Sequence, residues 1–265
     1  MKIIVTGGKG FIGKHLVKEL RKKHNVIVFD IKDGSEKDVR VLENLLKTSK
    51  DVDVIVHLAA LCLDPESFKK PWEYLTTNIL GTINVLETAR RLGIKKVIYA
   101  SSAAAGFSSP YGISKLHAEQ LCEIYNRLYK MNVISLRIYN VYGEGNNKGV
   151  IREFFMRIKK NLPLIIHGDG KFVRDYIHVK DVVRTIEDFI EKDHKPGVYE
   201  VGTGIGTSVN ELVKIMKEIT GKKIETKYEP IPYEGIRYSV AQNTCVKKPI
   251  KLRDGLKELW EKKTF

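Results

Sequence analysis

Short, almost wholly apolar runs alternate along the chain with longer stretches whose apolar residues recur every three or four positions. The runs at residues 2–6 (KIIVT), 25–30 (NVIVFD), 53–57 (DVIVH), 96–101 (KVIYAS) and 132–138 (NVISLRI) read as buried strands. The intervening stretches predict helices near 11–23, 39–49, 71–92 and 110–130. The last begins well, with Ser109 at the cap and Pro110 at the first helical position. Strand and helix in strict alternation predict an α/β fold with a doubly wound parallel sheet and crossover helices.

Beyond residue 141 the alternation loosens and glycine-rich turns multiply, as in YGEGNNKG (142–149) and HGDGK (167–171). Helices are expected near 150–160, 179–192, 208–220 and 252–262. Ser208 and Glu211 form a capping box, and Gly221 ends that helix. The pattern divides the chain into a sheet domain over 1–141, onto which 172–204 packs back, and a smaller lobe from 142–171 and 205–265.

Composition narrows the class without naming a function. At 265 residues with 43% hydrophobic content, the chain can bury a full core. No run reaches the roughly 18 apolar residues of a membrane span, and the N-terminal MKIIVTGG is a buried-strand pattern rather than a signal peptide. A cytoplasmic protein without a membrane partner is expected. Cys62, Cys122 and Cys245 are odd in number and widely spaced, which suits reduced packing residues better than disulfides or a metal cluster. The net charge of +14 fits an anionic small molecule or a lysine-rich solvated surface. The lysines and arginines are scattered and no nucleic-acid-binding signature accompanies them, which argues against a nucleic-acid partner.

Two groups of residues carry candidate chemistry. TGGKGFIG (6–13) spaces Gly7, Gly10 and Gly13 three apart, directly after the first strand and opening the first helix. Such a turn lets the backbone approach a pyrophosphate, whose charge then sits at the helix N-terminus. Asp30 ends the second strand, where the adenosine ribose of a dinucleotide would lie, and would repel a 2′-phosphate, favouring NAD over NADP; Lys9 and Lys32 blur that preference. Asp38 has two readings, a partner for the adenine amino group or an acid at a helix N-terminus.

The second group is Ser102, Tyr111 and Lys115. Tyr111 and Lys115 are four apart on a predicted helix and share a face. A lysine beside a phenol favours the phenolate, as a general base requires. Alone, such a pair is better explained as a solvated helical pair. Its place after the fourth strand, downstream of a nucleotide turn, favours proton transfer, with Ser102 at the carboxyl edge of the sheet holding the substrate oxygen.

Further motifs follow in order: HLAA (57–60), NILGTINVLETAR (78–90), YASS (99–102), SPYGISK (109–115), RIYNVYG (137–143), GDGKFVRDYIHVKDV (168–182) and VGTGIGTSVNEL (201–212). With the glycine turn, they resemble the extended short-chain dehydrogenases/reductases, in the sugar-nucleotide epimerase/dehydratase branch. The resemblance runs through nearly the whole chain. It implies NAD as cofactor, with Gly7, Gly10 and Gly13 cradling the pyrophosphate and Phe11 and Ile12 presenting backbone amides. It gives Asp30 to the ribose, Asp38 and Val39 to the adenine end, and Leu58, Ala59, Ala60 and Asn78 to the cofactor lining. Ser102, Tyr111 and Lys115 become the catalytic set, Lys115 also binding the nicotinamide ribose. Asn140 touches the substrate and Arg174 pairs with its diphosphate; the alternative for Arg174 is a surface partner of Asp175 or Asp181. No metal is implied. Homodimerisation through the helices near 71–92 and 110–130 is.

The chain also departs from the family. A long loop normally separates the serine from the tyrosine and walls the sugar pocket; here AAAGF (103–107) leads almost directly into the helix, so the pocket is expected to be more open or completed by another element. Pro232 stands where a second diphosphate-binding arginine is expected, and Arg237 is the candidate substitute. Ala103 and Ala104 replace the acid pair that dehydratases place after the serine, which argues against dehydration. The reading is an NAD-dependent epimerase of a nucleoside-diphosphate sugar acting at carbon 4, of the UDP-glucose type. A 4-keto-sugar-nucleotide reductase and a non-catalytic NAD-binding module are the alternatives.

Overall fold

A computed structural model describes residues 1–231 and 235–265. The first five strands form where the apolar runs lie: β1 (Lys2–Thr6), β2 (Asn25–Phe29), β3 (Val54–His57), β4 (Lys96–Ser102) and β5 (Asn132–Ile138). Ile3, Ile4, Val5, Ile55, Val56, Val133 and Ile134 are fully buried, as continuous apolar strands covered on both faces must be. Burying each such side chain contributes about 1.5–3 kcal/mol. Between these strands run α1 (Phe11–Leu20), α2 (Leu42–Thr48), α3 (Asp64–Ser67), α4 (Pro71–Leu75), α5 (Gly81–Leu92) and α6 (Pro110–Tyr129).

Two of the expected helices differ. The one expected from residue 39 begins only at Leu42, because Arg40 clamps Asp38 in a turn and Val39 points into the core. The helix expected over 71–92 is broken by a π turn at Thr76–Leu80. There Thr76 Oγ1 donates to the Trp72 carbonyl (2.7 Å) and Thr82 Oγ1 to the Asn78 carbonyl (2.7 Å), which perturbs the regular ladder.

The rest of the chain forms β6 (Asn140–Tyr142), α7 (Val150–Lys159), β7 (Leu164–His167), β8 (Val173–His178), α8 (Val179–Glu191), β9 (Gly197–Val201), β10 (Gly206–Ser208), α9 (Val209–Thr220), β11 (Thr226–Glu229), β12 (Tyr238–Ser239) and α10 (Leu252–Lys262). The central sheet has six strands in the order β2-β1-β3-β4-β5-β9, and its first five pair in parallel. The sixth strand was not expected, although Pro196-Gly197 followed by the alternating VYEV marks it. Strand order reverses at β1, so the crevice beyond the carboxyl ends of β1 and β3 is the switch point where doubly wound sheets bind ligands.

The chain divides into two compact units, Met1–Ile138 with Val183–Tyr199, and Tyr139–Val182 with Glu200–Phe265. Residues 172–182 and 202–204 therefore group with the second unit, while 200 and 201 complete β9 of the sheet. That unit has its own core of Phe154, Phe155, Leu212, Met216 and Leu256, with Trp260 stacked on Phe155 at 5.6 Å. The position at Pro232 lies outside the described residues. No helix among them is long and apolar enough to cross a membrane.

Inside the first unit, His57 ends β3 with Nδ1 2.7 Å from Thr6 Oγ1 and Nε2 3.2 Å from Thr82 Oγ1. Burial, helped by the charge of Lys115, pushes its pKa down to about 3. An unfolded histidine takes up a proton near pH 6.5, whereas the folded one stays neutral until about 3, so its contribution to stability is complete above 6.5 and falls as pH drops through that window. Replacing His57 with Gln removes this one proton. Between pH 4 and 6 the variant's unfolding free energy, from urea titration, is expected to fall less steeply than the wild type's, by about 1.4 kcal/mol per pH unit.

Candidate active site

The turn from β1 to α1 is closed by Gly10 N–H donating to the Gly7 carbonyl (2.9 Å), while Gly7 N–H donates to the Phe29 carbonyl of β2 (2.9 Å). Leu58 and Ala59, just past β3, donate backbone N–H groups to the Thr6 carbonyl (3.1 Å) and Thr6 Oγ1 (3.3 Å), so with Ala60 they line the switch point beside the glycine turn. Asp30, buried at the end of β2, accepts from Lys9 N–H (2.8 Å) and Lys32 N–H (3.0 Å). Lys9 and Lys37 pair through their ammonium groups with Asp33.

Ser102 ends β4, and its Oγ accepts from Ala104 N–H (3.1 Å) and is a hydrogen-bonding neighbour of the Tyr111 phenol. Tyr111 is 9% exposed and Lys115, one turn on, is 4% exposed. The three residues are therefore brought together. The expected effect of Lys115 on the phenol is not what dominates. Its Nζ donates to the Ala100 carbonyl (2.7 Å) and lies over the Tyr99 ring (4.9 Å). Burial pushes the Tyr111 phenol well above its ordinary range, and the Ser102 hydrogen bond only partly opposes it. Burial also pulls Lys115 down, to about 8. Desolvation penalises a phenolate and an ammonium alike, so both groups are held toward their neutral forms.

Three expected cofactor contacts have other partners. The Asn78 side chain accepts from Leu61 N–H (2.9 Å) and donates to the Leu61 carbonyl (3.0 Å) and Ser114 Oγ (2.9 Å), so its amide braces the loop after β3 against α6. Asp38 receives Arg40 Nε (3.0 Å) and Nη2 (2.5 Å), which holds its carboxyl below the usual range; it starts no helix, so its helix-dipole reading fails. Val39 gives its carbonyl to Asn84 Nδ2 (3.0 Å) and its side chain to the core.

In the second unit, Asn140 pairs in register with Tyr176, two residues along β8 from Arg174, and donates weakly to the Asp175 carbonyl (3.4 Å). The guanidiniums of Arg174 and Arg237 lie 5.7 and 5.9 Å from the centre of the same Phe172 ring. The Asp175 carboxylate is taken by Thr203 N–H and Oγ1, Gly204 N–H and Ala241 N–H, and Asp181 accepts from Ile250 N–H.

Sequence reasoning missed Asp64 and Tyr74. Asp64 accepts from Ser109 Oγ, and the Tyr74 ring meets Tyr111 edge-on at 6.3 Å. Neither belongs to a motif with fixed spacing, so only the fold reveals them. Cys62, expected as a packing residue, is exposed and close enough to the Tyr111 phenol to influence it electrostatically; Cys122 is buried, with its thiol pushed up to about 12 by desolvation.

The model of the NAD dependent epimerase/dehydratase family matches residues 3–202. The chain belongs to that family. It is 34% identical to a putative UDP-glucose 4-epimerase of Methanocaldococcus jannaschii, covering 97% of this chain and 96% of that one. The alignment runs over 297 positions, more than the 265 residues here, so that relative carries segments this chain lacks. The UDP-glucose 4-epimerase of Thermotoga maritima, solved with UDP-glucose, superposes with a TM-score of 0.89 at 33% identity, covering 100% of this chain and 99% of that one. The Thermus thermophilus UDP-glucose 4-epimerase, solved with NAD, gives 0.87 at 27% identity, with 97% of each chain covered.

NAD is the cofactor of this family, and the first unit fits it. The α1 N-terminus of this family member has no side-chain cap and no acid in its first turn. The N–H groups of Phe11, Ile12 and Gly13 therefore lack intrahelical acceptors and suit a pyrophosphate. Asp30 keeps acceptor capacity for ribose hydroxyls beyond its two backbone donors. A Cβ on Gly13 would lie 2.3 Å from the Gly7 carbonyl oxygen, so the turn closes only with glycine there. Gly13→Ala is expected to weaken NAD binding at least tenfold, read by calorimetric titration, and to lower the melting temperature even without cofactor.

Proposed function

We propose that the protein is an NAD-dependent epimerase of a nucleoside-diphosphate sugar, acting at carbon 4 of a UDP-glucose or UDP-galactose type substrate through a transient keto-sugar. The observation that carries this reading is the Ser102, Tyr111 and Lys115 set at the carboxyl edge of the sheet, with Tyr111 and Lys115 buried, in the same unit as the glycine turn. Ala103 and Ala104 leave the segment after the serine without a carboxylate, which favours epimerisation over elimination of water. Relatives at 33–34% identity that are named UDP-glucose 4-epimerases support the uridine nucleotide.

In this reading the first unit holds NAD and the second holds the sugar nucleotide, with Arg174 and Arg237 on its diphosphate and Asn140 on the substrate. Two guanidiniums around one phenyl ring form a rigid, doubly charged fork of the kind phosphate oxygens prefer. NAD, when bound, supplies the hydride acceptor and a positively charged ring. Ser102 Oγ orients the sugar hydroxyl, and Tyr111 takes its proton as general base. Once the keto-sugar has turned and hydride would return to the opposite face of carbon 4, Tyr111 gives its proton back to the carbon-4 oxygen. Lys115, whose ammonium bonds the Ala100 carbonyl, holds the cofactor ribose.

Tyr111→Phe is expected to abolish interconversion of UDP-glucose and UDP-galactose while NAD stays bound, and Arg174→Ala to raise KM more than it lowers kcat; a Phe variant with wild-type rate would sink the assignment. Epimerisation leaves the nicotinamide absorbance unchanged at completion, whereas a stoichiometric loss with a keto-sugar nucleotide would identify a reductase. Turnover of neither kind would leave an NAD-binding module.

The reading includes a homodimer built on α4, α5 and α6. Exposed on α4, the π turn and α6 are Trp72 (77% exposed), Leu80, Ile124, Leu128 and Tyr129, apolar residues that a partner copy would cover. Light scattering is expected to give twice the chain mass, and Leu128→Glu to give a monomer.

A further inference from the structure

The geometry points to Asp64 as a positioning residue for Tyr111: through the Ser109 hydroxyl it fixes the first turn of α6, and with it the place of the phenol. This inference rests on the epimerase reading of the Ser102, Tyr111 and Lys115 set. The link from β4 to α6 is folded tightly on itself. Ala105 N–H donates to the Ser102 carbonyl (2.9 Å), Phe107 N–H to the Ala104 carbonyl (3.0 Å) and Gly106 N–H to the Gly112 carbonyl (3.3 Å). A Cβ on Gly112 would lie 2.6 Å from the Ala104 oxygen and 2.7 Å from the Phe107 oxygen. So short a link places α6 only as well as the helix start is held.

That start is Ser109, buried, whose Oγ accepts from Gly112 N–H at 3.0 Å. A hydroxyl has one proton, and Ser109 gives it to Asp64. The donation orients the rotor so that a lone pair faces Gly112, and capping and anchoring become one arrangement. Asp64 is itself held. Its carbonyl accepts from Ser67 Oγ (2.7 Å) in α3. The neighbouring Leu63 N–H donates to Tyr74 Oη (3.0 Å), which donates to Glu66 (3.2 Å). Tyr74 then presents its ring edge-on to Tyr111. The segment that holds Asp64 thus also sets the Tyr74 ring against that of Tyr111.

The groups facing the phenol are Lys115 on its own helix, Ser102 and Tyr99 of β4, Cys62 and Asp64 of the segment after β3, and Tyr74 of α4. Among them the Asp64 carboxylate has two effects in opposite directions. It places the phenol, and its negative charge opposes loss of the phenol proton. Removing the charge while keeping an acceptor separates the two.

Asp64→Asn keeps an acceptor for Ser109; Asp64→Ala removes both acceptor and charge. In the NAD-loaded enzyme, Asp64→Ala is expected to lower kcat by about ten- to hundredfold, the cost of a misplaced reacting group, with KM for UDP-glucose and Kd for NAD changed less than about twofold. Asp64→Asn is expected to lose less of the plateau rate and to shift the acid limb of the kcat profile to lower pH. A readout that needs no turnover is the carbon-13 resonance of the tyrosine ring, with Tyr111 assigned by its disappearance in Tyr111→Phe. In Asp64→Asn that resonance is expected to titrate at lower pH than in the wild type, and in Asp64→Ala to move in position as well. If the wild type converts no sugar nucleotide, the epimerase reading fails and the resonance still decides the role of Asp64. An unmoved Tyr111 resonance and titration in Asp64→Asn overturn the assignment. So does an Asp64→Ala variant with unchanged kcat, or one that loses kcat only in step with NAD affinity and melting temperature.

Discussion

Everything at the catalytic edge depends on how α6 is seated against β4. The strand ends at Ser102 and the helix begins at Pro110, joined only by residues 103–109, so side-chain contacts must fix the seating. Further along the helix, buried Glu119 accepts from Ser101 Oγ (2.5 Å) of β4 and from Arg137 Nη2 (2.7 Å) of β5. A buried carboxylate with a guanidinium and a hydroxyl around it satisfies its own charge while tying one helix to two strands. Lys115 lies one turn before Glu119, and its bond to the Ala100 carbonyl is possible only in that seating. The phenol, the ammonium and the serine are thus one rigid group, fixed from the middle of the helix by Glu119 and from its start by Ser109.

That rigidity comes with burial, and burial sets the electrostatics. His57, Tyr99, Tyr111 and Lys115 are all removed from water, and each is displaced toward its neutral form. A phenolate beside an ammonium costs desolvation twice and regains it only through mutual attraction at close range. The Lys115 ammonium is instead directed at a backbone carbonyl and an aromatic face, both of which favour its charge without engaging the phenol. Burial therefore holds the proton on Tyr111, and in the epimerase reading a further positive charge nearby would favour its release.

The second unit follows a different logic. Its functional candidates sit on or beside β8, whose neighbours are short strands contributed from distant parts of the chain. Asp175, buried next to Arg174, collects donors from residues 203–204 and 241 and so fastens three segments at one carboxylate. Arg174 and Arg237 meet at Phe172 because β12 pairs with β8, bringing residue 239 opposite residue 174.

The amino-acid sequence by itself determined the layered plan. Continuous apolar runs such as KIIVT and NVISLRI can be satisfied only as strands covered on both faces, and their spacing by helical stretches requires parallel crossovers. The glycine turn, the Ser109 cap and the Ser208–Glu211 box were legible because local backbone chemistry dictates them, and the box forms with both of its hydrogen bonds. The Tyr111–Lys115 spacing gave their shared face, since helical period alone decides that. Short strands such as β9 and β10, the π turn at Thr76–Leu80, and the partners of Asp38 and Asn78 were not legible. Each is settled by contacts between residues far apart in the chain or by competition for one hydrogen bond, and neither leaves a periodic signal. The same holds for Asp64, 45 residues before the serine it anchors. Spacing specified which residues share a strand or a helix; only the folded chain decided which of them touch, how deeply each is buried, and so where the phenol and the ammonium hold their protons.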